Sequence, residues 1–194
     1  ATSLATDEPD CPMGQILGAY LALTTSDGRD LPGAMVVAAH LDTLTLNDRE
    51  AAHRAAIGTW LAGDWHGAAR RLDELLIRWP TDLLGLVVGH LLDFYLGDST
   101  NLRDRIGRSL PAFDPAHPNH GYVRGMYAFG LEERGKYQLA AQQARPDSFV
   151  CVAGYGEGST GYIPTEQHIA EHDPNLGDWW WVAPGSEPRM LAAI

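Results

Sequence analysis

Cysteine, lysine and long apolar runs are all scarce in this sequence of 194 residues. The two cysteines, Cys11 and Cys151, stand far apart, which excludes a local cysteine zinc motif and a disulfide framework. Lysine occurs once, at Lys136, and 25 acidic residues against 14 Lys and Arg give a formal net charge of −11. Because nucleic-acid binding depends on basic side chains that neutralise phosphates, we expect no nucleic-acid partner.

The longest charge-free stretch in the middle of the chain, residues 83–92, is about half the length that a bilayer needs. We therefore expect no membrane span. The first residues lack a basic segment followed by an apolar one, so no signal peptide is expected either. Together with the scarcity of cysteine, this pattern predicts a cytoplasmic protein.

Residues 11–144 are rich in alanine, leucine and arginine, and their apolar residues recur at intervals of three and four. This spacing is typical of amphipathic helices, here separated by Gly and Pro. Asn47 and Glu50 frame a predicted capping box at the start of one helix. The sequence thus predicts a mainly α fold with helices over residues 12–23, 33–44, 48–62, 65–79, 81–96, 99–110, 120–134 and 136–144.

The predicted helices recur in pairs, and the turns of three pairs contain Gly63, Gly97 and Gly135. These intervals lie near the period of about 34 residues that is typical of tetratricopeptide repeats, in which each helix pair is stabilised by stacking on its neighbours. Gly63-x-Trp65-x-x-Ala68 matches the turn glycine, aromatic and small residue of the repeat, and Gly135-x-Tyr137-x-x-Ala140 matches them again. The pattern predicts stacked antiparallel hairpins that form a short solenoid.

Six segments of this helical region carry a resemblance to a known family: DCPMGQILGAYL (10–21), DREAAH (48–53), LAGDW (61–65), NLRD (101–104), LPAFDP (110–115) and GYVRGMYAFGLEE (121–133). In this order they resemble the tetratricopeptide repeat protein 38 family over about residues 1–140. The resemblance implies a helical-repeat fold, and it implies no catalytic residue.

After Pro146 the helical period stops, and the chain becomes rich in Gly and Trp. We therefore predict two domains, a helical repeat domain over residues 1–145 and a C-terminal segment over residues 146–194. Short apolar runs at 149–153 and 179–182 predict strands, and residues 186–194 predict a terminal helix. The C-terminal segment is expected to be small and irregular or β.

Three motifs of this segment carry a second resemblance: RPDSFVCVAGYG (145–156), GYIPTE (161–166) and VAPGSEPRMLAAI (182–194). They resemble the end of the catalytic domain of neutral ceramidase-like hydrolases, over about residues 137–194. The resemblance implies that Tyr162 matches a zinc ligand of that family. The family's two His and one Glu ligands come from upstream segments that this sequence lacks, so Tyr162 is expected to be vestigial and amide hydrolysis is not implied.

Two further motifs of this segment suggest ligands. Gly156-x-Gly158-x-x-Gly161 has the spacing of a dinucleotide fingerprint, but Pro164 follows without a long helix, which favours an ordinary glycine-rich loop. His168 and His172 are four residues apart and could share one helix face with a metal, yet a zinc site needs three or four ligands. We expect no cofactor.

Aromatic and acidic residues of the helical region leave some alternatives open. Trp60, Trp65 and Trp79 recur at helical spacing, which favours core residues over a ligand groove. The adjacent carboxylates of Asp73-Glu74 and Glu132-Glu133 point in different directions on a helix, so we expect them to be solvated rather than paired for acid–base work.

The sequence favours a non-catalytic helical-repeat scaffold that binds a protein or peptide in its groove. Uncapped solenoid ends would also favour a homo-oligomer or a docked C-terminal segment. The alternative is a remnant of a zinc-dependent amide hydrolase in which Tyr162, His168 and His172 hold the metal.

Overall fold

The computed structural model describes residues 8–144, 169–170 and 188–189. The chain divides into two compact units, Ala1–Cys151 and Val152–Ile194. Eight α-helices follow one another in the first unit, between residues 8 and 144: α1 Pro12–Thr24, α2 Leu31–Leu41, α3 Asp48–Leu61, α4 Trp65–Arg78, α5 Leu83–Tyr95, α6 Ser99–Ser109, α7 His120–Glu133 and α8 Tyr137–Ala144. A 3-10 turn, Leu110–Ala112, extends α6.

The mainly α prediction is confirmed for this part of the chain, and seven of the eight predicted helices agree with the structure within two residues at each end. The exception is α2, predicted over 33–44, which begins two residues earlier at Leu31 and ends three residues earlier at Leu41. Its first turn contains Pro32, which suits that position because its missing N–H needs no partner there. After Leu41 the chain turns, and the Thr43 N–H bonds to the His40 carbonyl.

Local sequence signals account for several of the other helix ends. The side chain of Asn47 accepts hydrogen bonds from the N–H groups of Arg49 and Glu50, and the Glu50 carboxylate accepts one from the Asn47 N–H. The predicted capping box is therefore confirmed. Gly63, Gly97 and Gly135 have φ angles of 85°, 66° and 67°, which glycine adopts without steric cost.

Consecutive helices from α3 to α8 pack on one another, as do α1 and α2. In addition, α1 packs on both α3 and α5, and α2 packs on α3. None of the helices in residues 8–144 is both long and apolar enough to cross a membrane.

The apolar interior consists of two clusters. Cluster one joins buried residues of α1–α5, among them Ile16, Ile57, Leu72 and Leu92. Cluster two joins buried residues of α4–α7 and the loop before α7, among them Leu75, Leu86, Ile106, Phe113 and Val123. Helices α4 and α5 contribute to both clusters.

The predicted strands at 149–153 and 179–182, the glycine-rich run 156–161, and most of the predicted terminal helix lie outside the described residues. So does the predicted domain boundary at 145/146, which stays a prediction.

Candidate functional site

A row of aromatic side chains crosses the ends of four helices. Trp60, near the end of α3, contacts Trp65 at the start of α4 edge to face, with ring centroids 5.5 Å apart. Trp65 contacts Tyr95 in the same manner at 6.2 Å, and Tyr95 lies beside Phe94 at the end of α5. Phe94 contacts Phe129 of α7 at 5.8 Å. We call these five residues the aromatic row.

Much of the aromatic row is accessible to solvent. Phe94 is 48% exposed and Tyr95 39% exposed, while Trp65 and Phe129 are half-buried. The hydroxyl of Tyr95 donates a 2.7 Å hydrogen bond to the carbonyl of Thr24, which fixes the ring against the end of α1. Contiguous exposed apolar surface of this kind is typical of interaction sites.

His90 lies beneath the row on α5. Its ring contacts Phe129 at 5.8 Å, and its Nδ1 lies 3.1 Å from the carbonyl of Leu102. A carbonyl only accepts, so Nδ1 donates and the neutral ring keeps Nε2 as an acceptor. Burial, assisted by the nearby charge of Arg105, lowers the pKa of His90 to about 4. His90 is therefore uncharged at neutral pH.

A cavity of about 190 Å³ adjoins one end of the row and is lined by both Trp60 and Trp65. Trp60 is buried in cluster one, as its helical spacing favours, but Trp65 is half-buried. Trp79 belongs to a different cavity of about 250 Å³, where the guanidinium of Arg78 lies 4.5 Å from its ring centroid. The three tryptophans therefore do not form one groove.

A buried polar network connects α1, α3 and the start of α5. The Tyr20 hydroxyl lies 3.1 Å from Nδ1 of His53, whose Nε2 lies 3.1 Å from the Asp82 carboxylate. Asp82 also accepts from the Gly85 N–H at 2.7 Å and lies 3.4 Å from Arg49. His53 is fully buried, so this network cannot reach a ligand and acts as a tie between helices.

The protonation of this network follows from its geometry. Burial alone would raise the pKa of Asp82, but hydrogen bonds from His53 and the Gly85 N–H outweigh it and keep the pKa below its ordinary value. Burial, with the negative charge of Asp82, raises the pKa of Tyr20. Tyr20 thus stays a neutral phenol while Asp82 stays charged.

A second polar network connects α4, α5 and α6. The guanidinium of Arg105 donates two hydrogen bonds to Asp93, with its Nε and Nη2 2.7 and 2.8 Å from the carboxylate oxygens. Its Nη1 donates to Asp73 at 2.8 Å, and Arg108 donates to the same Asp73 oxygen. The expectation that Asp73 is solvated is wrong, because the partners of its carboxylate come from α6, more than 30 residues away in sequence. Burial raises the pKa of Asp93, against the opposing effect of Arg105.

The residues proposed for metal chemistry lie elsewhere. Tyr162, His168 and His172 are outside the described residues, so the zinc hypothesis stays a prediction. Among the residues that the structure describes, no three His, Cys, Asp or Glu side chains are grouped so that they could hold a metal ion. Glu133 is exposed and Glu132 half-buried on α7.

Sequence reasoning did not single out Phe94, Tyr95, Phe129 or His90. One signal was available: adjacent aromatics on a helix point about 100° apart, so Phe94 and Tyr95 could not both face the core. No protein-family model matches this chain, and no solved structure matches it either. The candidate site therefore depends on the geometry alone.

Proposed function

We propose that this chain is a non-catalytic helical-repeat scaffold that binds a protein or peptide across its aromatic row. The observation that carries the proposal is the exposure of Phe94 and Tyr95 at the end of α5, beside a half-buried Phe129 from α7. A side chain of a partner would cover this surface and remove apolar area from water.

The repeat pattern supports a particular location for the partner. In the pairing marked by Gly63, Gly97 and Gly135, the first helices are α3, α5 and α7, and first helices line the groove of a repeat solenoid. Helix α1 packs on α3 and α5. Phe94 lies on α5 and Phe129 on α7, and the two rings are in contact. The surface of the first helices that α1 does not cover includes this contact, and we place the partner there.

Two buried networks support a rigid framework beneath this surface. Both Tyr20–His53–Asp82 and Asp93–Arg105 use their polar atoms on one another, and their central residues are enclosed. Such networks hold helices in register and give the exposed surface a fixed shape.

The test is selection from a random peptide library on the immobilised full chain. We expect enriched peptides with aromatic or branched apolar residues, and we expect Phe94→Ser combined with Phe129→Ser to weaken their binding at least tenfold. Tyr122→Ser is the matched control, since Tyr122 is a 56% exposed aromatic outside the row. Circular dichroism verifies that each variant folds. Absence of any enrichment, or equal binding by both variants, would contradict the proposal.

A further inference from the structure

The cavity beside the row lies between the α1–α2 turn and the α3–α4 turn. Its lining is mainly apolar and includes two tryptophans and three leucines, namely Trp60, Trp65, Leu23, Leu31 and Leu61. At about 190 Å³ it exceeds the engineered cavity of about 150 Å³ that holds benzene. It therefore has room for a single ring or a branched aliphatic side chain.

The charge in the cavity wall is already neutralised. Asp27 lines the cavity, and Nε of Arg29 lies 3.0 and 2.9 Å from its two carboxylate oxygens. Hydrogen bonds from the side chain and then the backbone N–H of Arg29 lower the pKa of Asp27, which keeps the pair ionised. The lining presents no unpaired charge, so a charged ligand would lose its hydration without gaining a partner.

The edge of the cavity at the α1–α2 turn has an unusual backbone conformation. Ser26 lines the cavity with a φ of 56°, the left-handed region that residues other than glycine rarely adopt. Side chains fix the turn around it, because the Thr25 hydroxyl donates to the Asp30 carboxylate at 2.8 Å and accepts from the Asp27 N–H at 3.2 Å. The opening therefore exists before any ligand arrives.

We infer that this cavity is an anchor site for one uncharged aromatic or branched aliphatic side chain of the peptide partner. The inference rests on the proposed function, and the contact between Trp65 and Tyr95 makes the cavity continuous with the aromatic row. A partner would insert one apolar side chain into the cavity that Trp60 and Trp65 line, and lay the next across Phe94 and Phe129.

The first experiment titrates the full chain with toluene and indole, and with benzoate and benzylammonium as charged counterparts. The indole N–H resonances of Trp60 and Trp65 report binding, and they are assigned by single replacement with Phe. We expect the uncharged rings to shift these two resonances with a Kd on the order of 1 mM, as suits ligands of few atoms. The charged rings should bind at least tenfold more weakly. Equal binding of all four probes, or no shift with any, would overturn the inference.

The second experiment fills the cavity. Leu31 is 43% exposed at the start of α2, so Leu31→Trp can place an indole in the cavity without disrupting the core. Leu21→Trp is the matched control, because Leu21 is 46% exposed in the same hairpin and does not line the cavity. We expect Leu31→Trp to lower toluene affinity and the affinity of the selected peptides at least tenfold, and Leu21→Trp to change neither.

The two experiments distinguish the anchor site from the proposed scaffold function. Peptides that bind through Phe94 and Phe129 but are unaffected by Leu31→Trp would overturn the anchor site and leave the scaffold function standing. Rings that bind without being displaced by the peptides would indicate a free small molecule as the ligand, which also overturns the anchor. If no peptide binds to the unmodified chain, the proposed function itself is refuted.

Discussion

Arg105 illustrates how a charged side chain can be part of a core. Only 1% of it is exposed, yet its donors are used by Asp93, Asp73 and the carbonyl of Ala69. Gly89 makes room for it, since a Cβ at that position would lie 2.9 Å from the Cδ and Nε atoms of Arg105. The guanidinium thereby joins three helices through one group.

Replacement of Arg105 is therefore expected to lower the free energy of unfolding far more than replacement of Arg108, one turn further along α6. Arg105→Ala leaves the buried Asp93 carboxylate without a partner and should lower the free energy of unfolding by about 3–5 kcal/mol. Arg108→Ala removes an equal side chain that also bonds to Asp73 but is 53% exposed, and should cost at most about 1 kcal/mol. Urea unfolding of both variants measures the difference, and equal losses would contradict the assignment of Arg105 to the core.

His90 gives the stability of the fold a defined pH dependence. Its pKa is about 4 in the folded chain and about 6.5 when unfolded, so between these values the unfolded state binds a proton that the folded state does not. The free energy of unfolding should then fall by about 1–2 kcal/mol between pH 7 and pH 5.

The matched variants of this prediction are His90→Gln and His66→Gln. Glutamine keeps a donor for the Leu102 carbonyl but does not titrate. In His90→Gln the free energy of unfolding should therefore fall less between pH 7 and pH 5 than in the wild type. His66 is an exposed histidine on α4, so His66→Gln is the control for the same replacement at the surface. Urea unfolding at the two pH values checks this, and an unaltered slope in His90→Gln would refute it.

At the scale of the helices, glycine determines how closely α6 and α7 approach. A Cβ at Gly130 would lie 2.6 Å from the Cα of Arg103 and 2.9 Å from its backbone nitrogen. These are backbone atoms, so no side-chain rotation can relieve the contact. Helix α7 contains a contrasting residue, Gly125, where nothing lies within 4 Å.

The two glycines are expected to respond to alanine with opposite signs. Gly130→Ala should push α6 and α7 apart and lower the free energy of unfolding by about 1–3 kcal/mol. Gly125→Ala should raise it by about 0.5–1 kcal/mol, because alanine loses less conformational entropy in a helix. Thermal unfolding followed by circular dichroism measures both, and destabilisation by Gly125→Ala would show that the space beside it is occupied.

Helix positions were also the most predictable feature of this chain. Asn47 and Glu50 form their cap from residues three apart, and Gly63, Gly97 and Gly135 relieve strain at their own backbone. Such signals are local, so the sequence contains them in full. Helix α2 begins two residues before its predicted start because Pro32 is a residue of its first turn, where proline needs no N–H partner.

At the scale of the whole molecule, the two apolar clusters share α4 and α5. On α4, Leu72 belongs to cluster one, while Leu75 and Leu76 belong to cluster two. On α5, Leu92 belongs to cluster one and Leu86 to cluster two. Unfolding of one cluster would therefore pull a shared helix away from the other.

We expect a single unfolding transition that either cluster can destabilise. Ile57 and Ile106 are a matched pair, both fully buried, one in each cluster. Each replacement by Ala should lower the free energy of unfolding by about 2–5 kcal/mol and move the whole transition. Tryptophan fluorescence and circular dichroism should give coincident curves. A two-step curve for Ile106→Ala, with its second step at the wild-type position, would show that the clusters unfold independently.

The sequence by itself determined the helical class and nearly all helix ends of the described residues. These depend on neighbouring residues, whose backbone preferences and caps act over one or two turns. Only the tertiary structure decided which polar groups are buried and which aromatics are exposed. Tyr20 meets His53 across 33 residues and Arg105 meets Ala69 across 36. The exposure of Phe94 likewise depends on how α7 lies against α5, because burial is a property of all the atoms that surround a side chain.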